Sequence, residues 1–147
     1  MNLFDSLSVS ASALSAERQR SEIIAANLAN AETTHTTNGG PYRRKEVVFQ
    51  SEGTPTFGFT LSNATLGSQP SGEVRVSEVV DDPAPPVMRY EPGHPDANKD
   101  GYVAYPAIDP TMELVDMMGA VRAYQLNASA VAATKQMIQQ SIDVLKS

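Results

Sequence analysis

The chain has 147 residues, of which 41% are hydrophobic and 19% are charged, and it contains neither cysteine nor tryptophan. This length can bury the core of one modest domain, and the lack of cysteine excludes disulfide scaffolds, thiolate zinc sites and cysteine nucleophiles. The net charge of −6 disfavours nucleic-acid binding, which requires a surplus of Lys and Arg. No apolar run reaches the ~20 residues that span a bilayer, and Asn2 and Asp5 stand where a cleaved signal peptide would be basic. We therefore expect neither membrane insertion nor a cleaved signal.

Proline and glycine are distributed unevenly along the chain. All ten prolines lie between Pro41 and Pro110, and eight of the nine glycines lie between Gly39 and Gly101. Both residue types are unfavourable inside helices. The sequence therefore predicts an α+β protein with a long helix at each end and a turn-rich middle. The expected division is an N-terminal helix in residues 1–34, a β-rich domain with loops in 35–109, and a C-terminal helix in 110–147.

The first predicted helix runs roughly from Asn2 to Ala31. Polar residues interrupt its apolar stripe, so we expect it to depend on contacts with other helices for its stability. The residues expected to pack are Leu7, Leu14, Ile24 and Leu28.

The middle of the chain contains five short segments that are rich in β-branched or aromatic residues and bounded by Gly, Pro, Asn or Asp. They predict strands at Lys45–Gln50, Thr56–Leu61, Glu73–Val80, Val87–Tyr90 and Tyr102–Tyr105. The stretches Gly67–Gly72 and Asp81–Pro86 are expected to be exposed loops. Together these segments indicate a small, irregular β domain.

The segment Asp96–Gly101 matches the first half of a calcium-binding loop. The match fails at Ala107, where a bidentate Glu would stand, and nearby prolines exclude helices directly beside the loop. The same residue types form tight turns between strands, so the segment has two interpretations, of which we favour the turn. Neither His94 nor His35 has a companion cysteine, which disfavours a zinc site.

The sequence contains none of the usual signatures of an enzyme. It has no nucleophile elbow, no glycine-rich phosphate loop and no carboxylate pair in a recognisable acid–base context. We therefore predict no catalytic, cofactor-binding or metal-binding residue, and we do not expect an enzyme.

The C-terminal helix is predicted from Asp109, a candidate N-cap, and Pro110, which suits the first helical position, to Ser147. At about 1.5 Å per residue it would be roughly 55 Å long. Its heptad pattern is apolar at every place except one, which is typical of a coiled-coil-like helix. Small residues on its other faces favour a bundle over an isolated pair. The heptad places are Leu114, Met117, Val121, Tyr124, Ala128, Val131, Lys135, Ile138, Ile142 and Leu145.

The two end helices could pair as a simple hairpin, or they could pair and also pack against other subunits. Residues 1–31 and 110–147 together hold only 11 charged residues. One helix pair cannot cover surfaces with so few charges, so we favour packing against other subunits. The alternative function is a soluble coiled-coil adapter or regulatory protein.

Four motifs carry a resemblance to a known family. They are Asn27-Leu28-Ala29-Asn30, Gly39-Gly40-Pro41-Tyr42-Arg43-Arg44-Lys45, the run from Pro92-Gly93-His94-Pro95-Asp96 to Asp100-Gly101-Tyr102-Val103, and Arg122-Ala123-Tyr124 with Asn127. Over essentially its whole length the chain resembles the bacterial flagellar basal-body rod proteins, and the two middle motifs and the short length resemble the proximal-rod member. It departs from that family at Gln125, where an acidic residue is common, and in the longer stretches Ser62–Gly72 and Asp81–Pro86.

The resemblance implies a structural subunit of the proximal rod, a helical drive shaft at the base of the flagellar motor that transmits torque. It implies that the end helices pack into the inner tube of the shaft and that the middle domain faces outward. It also implies export through the flagellar type III apparatus without a cleaved signal, and a location in the basal body within the periplasm. The implied partners are other copies of this chain, neighbouring rod proteins and the adaptor that joins the rod to the membrane ring.

Overall fold

The computed structural model describes residues 3–52 and 72–146. Its elements are, in chain order, α1 (Leu3–Ala29), β1 (Lys45–Glu52), β2 (Glu73–Asp81), β3 (Val87–Tyr90), β4 (Tyr102–Tyr105) and α2 (Pro110–Lys146). The predicted α+β class is confirmed, because long helices at both ends enclose a region of short strands. The predicted strand Thr56–Leu61 and all but the last residue of Ser62–Gly72 lie outside the described residues.

The described chain forms two compact units. One contains the first part of α1, the adjoining ends of β1 and β2, and α2 from Val121 onward. The other consists of Arg20–Val48 and Glu78–Ala120, and so contains the end of α1, the hairpin β3–β4 and the start of α2. We call this second group of residues the Asn27 unit, because Asn27 is its most extensively bonded buried polar residue.

Side chains cap the start of α2 and the end of α1. The Oδ1 atom of Asp109 accepts a hydrogen bond of 2.9 Å from the amide of Thr111, which confirms the predicted N-cap of α2. Just after α1, Asn30 donates from Nδ2 to the carbonyl of Ala26 at 2.8 Å, and its Oδ1 accepts from the hydroxyl of Thr33 at 3.1 Å. Within the described ranges, neither helix is apolar enough over a sufficient length to cross a membrane.

The strands form two small sheets. β1 pairs with β2, and the amide of Asp82, just after β2, donates to the carbonyl of Arg44, just before β1, at 2.8 Å. The start of β1 therefore lies beside the end of β2, as in an antiparallel pair. β3 and β4 are antiparallel, with Val87 opposite Tyr105 and Tyr90 opposite Tyr102.

The loop between β3 and β4 contains the segment that resembles a calcium site. Oδ1 of Asn98 accepts hydrogen bonds of 2.9 Å from the amides of Asp100 and Tyr102, and the amide of Glu91 donates to the carbonyl of Gly101 at 2.9 Å. The Asn98 side chain thus organises the backbone of a turn, which confirms the turn interpretation. Among the residues that the structure describes, no group of three or more His, Asp or Glu side chains could hold a metal ion.

Gly101 closes this turn in a conformation that residues other than glycine rarely adopt. Its φ is +80°, and a Cβ added there would lie 2.9 Å from Cε2 of Tyr90 and 3.3 Å from Cβ of Pro92.

We expect Gly101→Ala to lower the free energy of unfolding by at least about 1 kcal/mol, since the left-handed conformation alone costs a non-glycine residue about 1–2 kcal/mol. Denaturant unfolding measures the loss. Gly93→Ala is the control because a Cβ there meets nothing within 4 Å, and equal stability of the two variants would contradict the argument.

Candidate functional site

The side chain of Asn27 uses all its hydrogen-bonding capacity inside the Asn27 unit. Its Nδ2 donates to the carbonyl of Lys45 at 2.9 Å and to Oε2 of Glu113 at 3.3 Å. Its Oδ1 accepts from the amide of Lys45 at 2.9 Å and from the hydroxyl of Tyr42 at 3.2 Å. Two donors and two acceptor positions are all that an amide has, so this residue, which is only 1% exposed, is fully satisfied. It ties the end of α1 to the first residue of β1 and to the first turn of α2.

Glu113 brings a buried carboxylate into the same cluster. It is 1% exposed, and its Oε1 accepts from Nε of Arg44 at 2.6 Å. Arg44 also pairs with Glu46, and its Nη2 lies 3.6 Å from Oδ2 of Asp116. Partial burial by itself lowers the pKa of Arg44, but the hydrogen bonds and charges of Glu113 and Glu46 raise it above its usual value overall. The guanidinium therefore stays charged and compensates the buried carboxylate, without which the burial would be strongly unfavourable.

Tyr42 completes the cluster as a protonated donor. Burial and then the negative charges of Asp81 and Glu113 raise the pKa of its hydroxyl above the ordinary value. The phenol therefore remains able to donate to Asn27. We refer to Asn27, Tyr42, Arg44, Lys45 and Glu113 together as the Asn27 cluster; four of these five residues belong to the first two sequence motifs.

The loop before β1 is shaped by two glycines with positive φ, 83° at Gly39 and 75° at Gly40. The amide of Thr36 donates to the carbonyl of Gly40 at 2.9 Å, and the amide of Tyr42 donates to the carbonyl of Thr33 at 3.0 Å. Pro41 is half-buried, whereas the next arginine, Arg43, is exposed. Adjacent arginines of one motif thus have opposite roles, because Arg44 is committed to Glu113 and Arg43 faces solvent.

The third motif makes a second polar connection. The hydroxyl of Thr34 donates to Oδ2 of Asp96 at 2.7 Å, and Nδ1 of His94 accepts from the Asp96 amide at 3.1 Å. The ring of His94 lies edge-on to Tyr105 with centroids 6.3 Å apart. The Tyr105 hydroxyl donates to Oε2 of Glu91 at 2.9 Å, and this hydrogen bond is the main reason that the pKa of Tyr105 is raised. In the same motif Pro92, Gly93 and Pro95 are exposed.

The fourth motif lies on α2. Arg122 is exposed, and Asn127 is half-buried. Nδ2 of Asn127 donates to the carbonyl of Ala123, one turn earlier in the same helix, at 2.9 Å. Asn127 therefore differs from Asn27, whose bonds join separate elements.

The buried positions of α2 are offset from part of the predicted heptad. Glu113, Ala120 and Thr134 are buried, whereas the following heptad places are open to solvent: Leu114 is 52% and Val121 is 44% exposed. The reason is that Glu113 must face Arg44 and Asn27, so the buried stripe of the single chain begins one residue earlier. The structure leaves Met117, Val131 and Ile138 half-buried, and it leaves Tyr124, Ala128, Lys135, Ile142 and Leu145 exposed.

On α1 the predicted packing residues are all at least partly covered. Ile24 is buried, and Leu7, Leu14 and Leu28 are half-buried.

The sequence pattern did not predict the role of Glu113, because a search for regularly spaced apolar residues does not select a carboxylate. A signal was present in the regular spacing of Glu113, Ala120, Asn127 and Thr134, which are seven residues apart and small or polar.

Comparison with known proteins agrees with these features. Residues 7–34 match the family described as flagella basal body rod protein, and residues 99–144 match the flagellar basal body rod FlgEFG protein C-terminal family. The chain is therefore a protein of the flagellar basal-body rod class.

Full-length relatives narrow the class further. The chain is 42% identical to the flagellar basal-body rod protein FlgC of Bacillus subtilis, over 99% of this chain and 100% of that protein. It is 38% identical to FlgC of Yersinia enterocolitica and 37% identical to FlgC of Salmonella typhimurium, in each case over 97% of this chain and 95% of the relative. The chain belongs to the FlgC family of flagellar basal-body rod proteins.

Removing the Asn27 side chain tests the cluster. We expect Asn27→Ala to lower the free energy of unfolding by about 2–4 kcal/mol, because the backbone groups of Lys45 and the buried Glu113 carboxylate lose partners. Urea unfolding of the purified chain measures the change. Asn127→Ala, which removes one bond inside a helix, should cost much less, and an equal loss in both variants would argue against a special role for Asn27.

The raised pKa of Tyr42 predicts a loss of stability at alkaline pH. In the unfolded chain the pKa of a tyrosine is about 10. The higher pKa in the folded state contributes stability that is fully present below pH ~10 and is lost as the pH rises through the folded-state pKa. The free energy of unfolding of Tyr42→Phe should therefore fall less steeply above pH ~10 than that of the unmodified chain. Tyr90→Phe, at an exposed ring, is the control, and parallel pH profiles of all three proteins would contradict the prediction.

Proposed function

We propose that this chain is a structural subunit of the flagellar proximal rod, which packs through its end helices into a helical shaft that transmits torque. Residues 1–34 and 110–147 form the inner, polymerising part, and residues 35–109 form the outer domain. The observation that carries this proposal is the apolar surface that α2 leaves exposed in the single chain.

That surface is extensive and carries few charges. Only six of the 37 residues of α2 are charged, and two of these, Glu113 and Asp116, pair with Arg44. A large exposed apolar surface on a folded chain marks a site of protein association. The large exposed apolar side chains of α2 are Met112, Leu114, Val115, Met118, Val121, Tyr124, Leu126, Met137, Ile142, Val144 and Leu145.

The direction of these side chains favours several neighbours over one. Successive residues of a helix point about 100° apart. Val121 therefore points about 60° to one side of Met118, and Leu126 points about 80° to its other side. They span a wide sector of the helix in addition to its buried stripe. One partner helix covers a single narrow stripe, so a soluble adapter with one coiled-coil partner would leave much of this surface in water. A rod lattice surrounds each helix with neighbours.

The geometry also suits a shaft. A helix of 37 residues is roughly 55 Å long, and contacts between non-equivalent surfaces of successive subunits generate an open helical assembly. Charge-assisted hydrogen bonds are directional, so the Asn27 cluster would resist sliding of β1 against the two helices under load. These properties are what a torque-bearing subunit requires.

The family membership supports a location in the flagellar basal body. The finer parts of the proposal are a periplasmic position in the rod and delivery by the type III export apparatus without a cleaved signal. The proposed partners are other copies of this chain, neighbouring rod proteins and the adaptor between the rod and the membrane ring. Co-purification of the chain with intact basal bodies tests this placement.

A charge on the exposed apolar surface tests the assembly role. Met118 is 67% exposed in the single chain, so Met118→Asp should leave the fold intact. In the rod it would place an unpaired carboxylate between helices at a cost of several kcal/mol per subunit. We expect loss of swimming and of incorporation into basal bodies, with an unchanged circular dichroism spectrum. Met118→Leu, which preserves the apolar volume, should swim normally, and normal rods with Met118→Asp would refute this use of the surface.

A further inference from the structure

Two adjoining depressions flank the loop before β1, and both belong to the Asn27 unit. The first has a volume of about 180 Å³ and is lined in part by Arg43, Ala84 and Pro86. The second is more open, has a volume of about 410 Å³ and is lined in part by Asn38, Arg43 and Lys45. Since Arg43 borders both, we call them together the Arg43 cleft.

The cleft holds two uncommitted cations. Arg43 and Lys45 are exposed, and among the residues that the structure describes their side chains have no hydrogen-bond or ion-pair partner. Arg44 between them is committed to the Asn27 cluster. Asp81 borders the second depression and Asp82 the first, yet neither forms an ion pair with the two cations.

This combination of groups fits a peptide better than a free anion. Arg43 offers a planar fork of donors for a carboxylate, and Lys45 offers a second positive charge. Asp82 already accepts a hydrogen bond from the amide of Ala84 through Oδ1, and its other oxygen and the carboxylate of Asp81 offer acceptors for the amides of a peptide backbone. Gly39 and Gly40 border open space, since a Cβ at either meets nothing within 4 Å. An extended segment that carries acidic side chains meets all of these conditions.

We propose that the Arg43 cleft receives an acidic, extended segment from a second copy of this chain. The inference rests on the proposed rod function, which brings copies into contact. Residues 32–109 carry a net charge of −5, so the middle regions of neighbouring copies carry a net charge of the same sign. Juxtaposed like charges are unfavourable at an interface. The cation pair of Arg43 and Lys45 is a place where an acidic neighbour can dock, and it would fix the register between copies.

Cross-linking in assembled rods tests the occupant. The chain has no cysteine, so Asn38→Cys places a unique thiol in the cleft, and Gly93→Cys places one on the loop between β3 and β4 as a control. Basal bodies purified from each strain are labelled with a photoactivated thiol cross-linker, and the adducts are mapped by mass spectrometry.

Asn38→Cys should link two copies of the chain through a segment that contains Asp or Glu. Incorporation without an adduct, an adduct to a different protein, or an adduct to a segment without acidic residues would each overturn the proposal. Incorporation is scored before labelling, so absence of the chain from basal bodies would refute the rod function itself, together with the inference that depends on it.

Charge reversal tests the contribution of Arg43. Arg43→Glu and Lys99→Glu change the net charge equally, and both residues are exposed. We expect Arg43→Glu to reduce incorporation at least about tenfold, Lys99→Glu to reduce it less than about twofold, and Arg43→Lys to retain most of it. Circular dichroism and urea unfolding establish that the variants are folded. Equal incorporation of Arg43→Glu and Lys99→Glu would overturn the proposal.

Discussion

The amide of Asn27 meets both the amide and the carbonyl of Lys45, and this paired contact is the interaction on which the rest of the Asn27 unit depends. The side-chain amide of Asn27 makes the same two hydrogen bonds to Lys45 that the backbone of a neighbouring strand would make. Here the two bonds join a helix to a strand. The remaining donor and acceptor of Asn27 reach Glu113 and Tyr42. Three elements distant in sequence are thereby aligned by one residue, and no substitution keeps both its shape and its hydrogen-bonding pattern.

The burial of Glu113 follows from this alignment and determines the orientation of α2. A carboxylate that is removed from water must be paired, and Arg44 provides the charge. Because Glu113 lies in the first turn of α2, its position fixes the rotation of the helix about its axis. Ala120, two turns later, is then completely buried, while the larger Leu114 and Val121 remain open. A polar contact at one end of the helix thus decides which of these apolar residues stay exposed in the single chain.

The sequence predicts the secondary structure well and the polar cluster poorly. The bounds of β3 and β4 and the N-cap at Asp109 follow from local rules, because β-branched runs and capping residues act over a few positions. The partnership of Asn27 with Glu113 joins residues 86 positions apart, and no local rule connects them. The family motifs marked Asn27, Tyr42 and Arg44 as informative without indicating their contacts. The period of the apolar residues assigned the heptad of α2 to a packed face. Periodicity does not account for a buried carboxylate, so it did not predict that Glu113 is buried while Leu114 and Val121 are exposed.

The seven-residue series Glu113, Ala120, Asn127 and Thr134 has a thermodynamic consequence. Small and polar side chains contribute little hydrophobic free energy where they are covered, so the single chain gains modest stability along this stripe of α2. In the proposed rod, the larger apolar side chains would release their hydration water when neighbouring subunits arrive. Folding and association would then be linked by mass action, and much of the stability of α2 would belong to the assembled rod. A chain of this design can remain easy to unfold as a monomer and become rigid once it is incorporated.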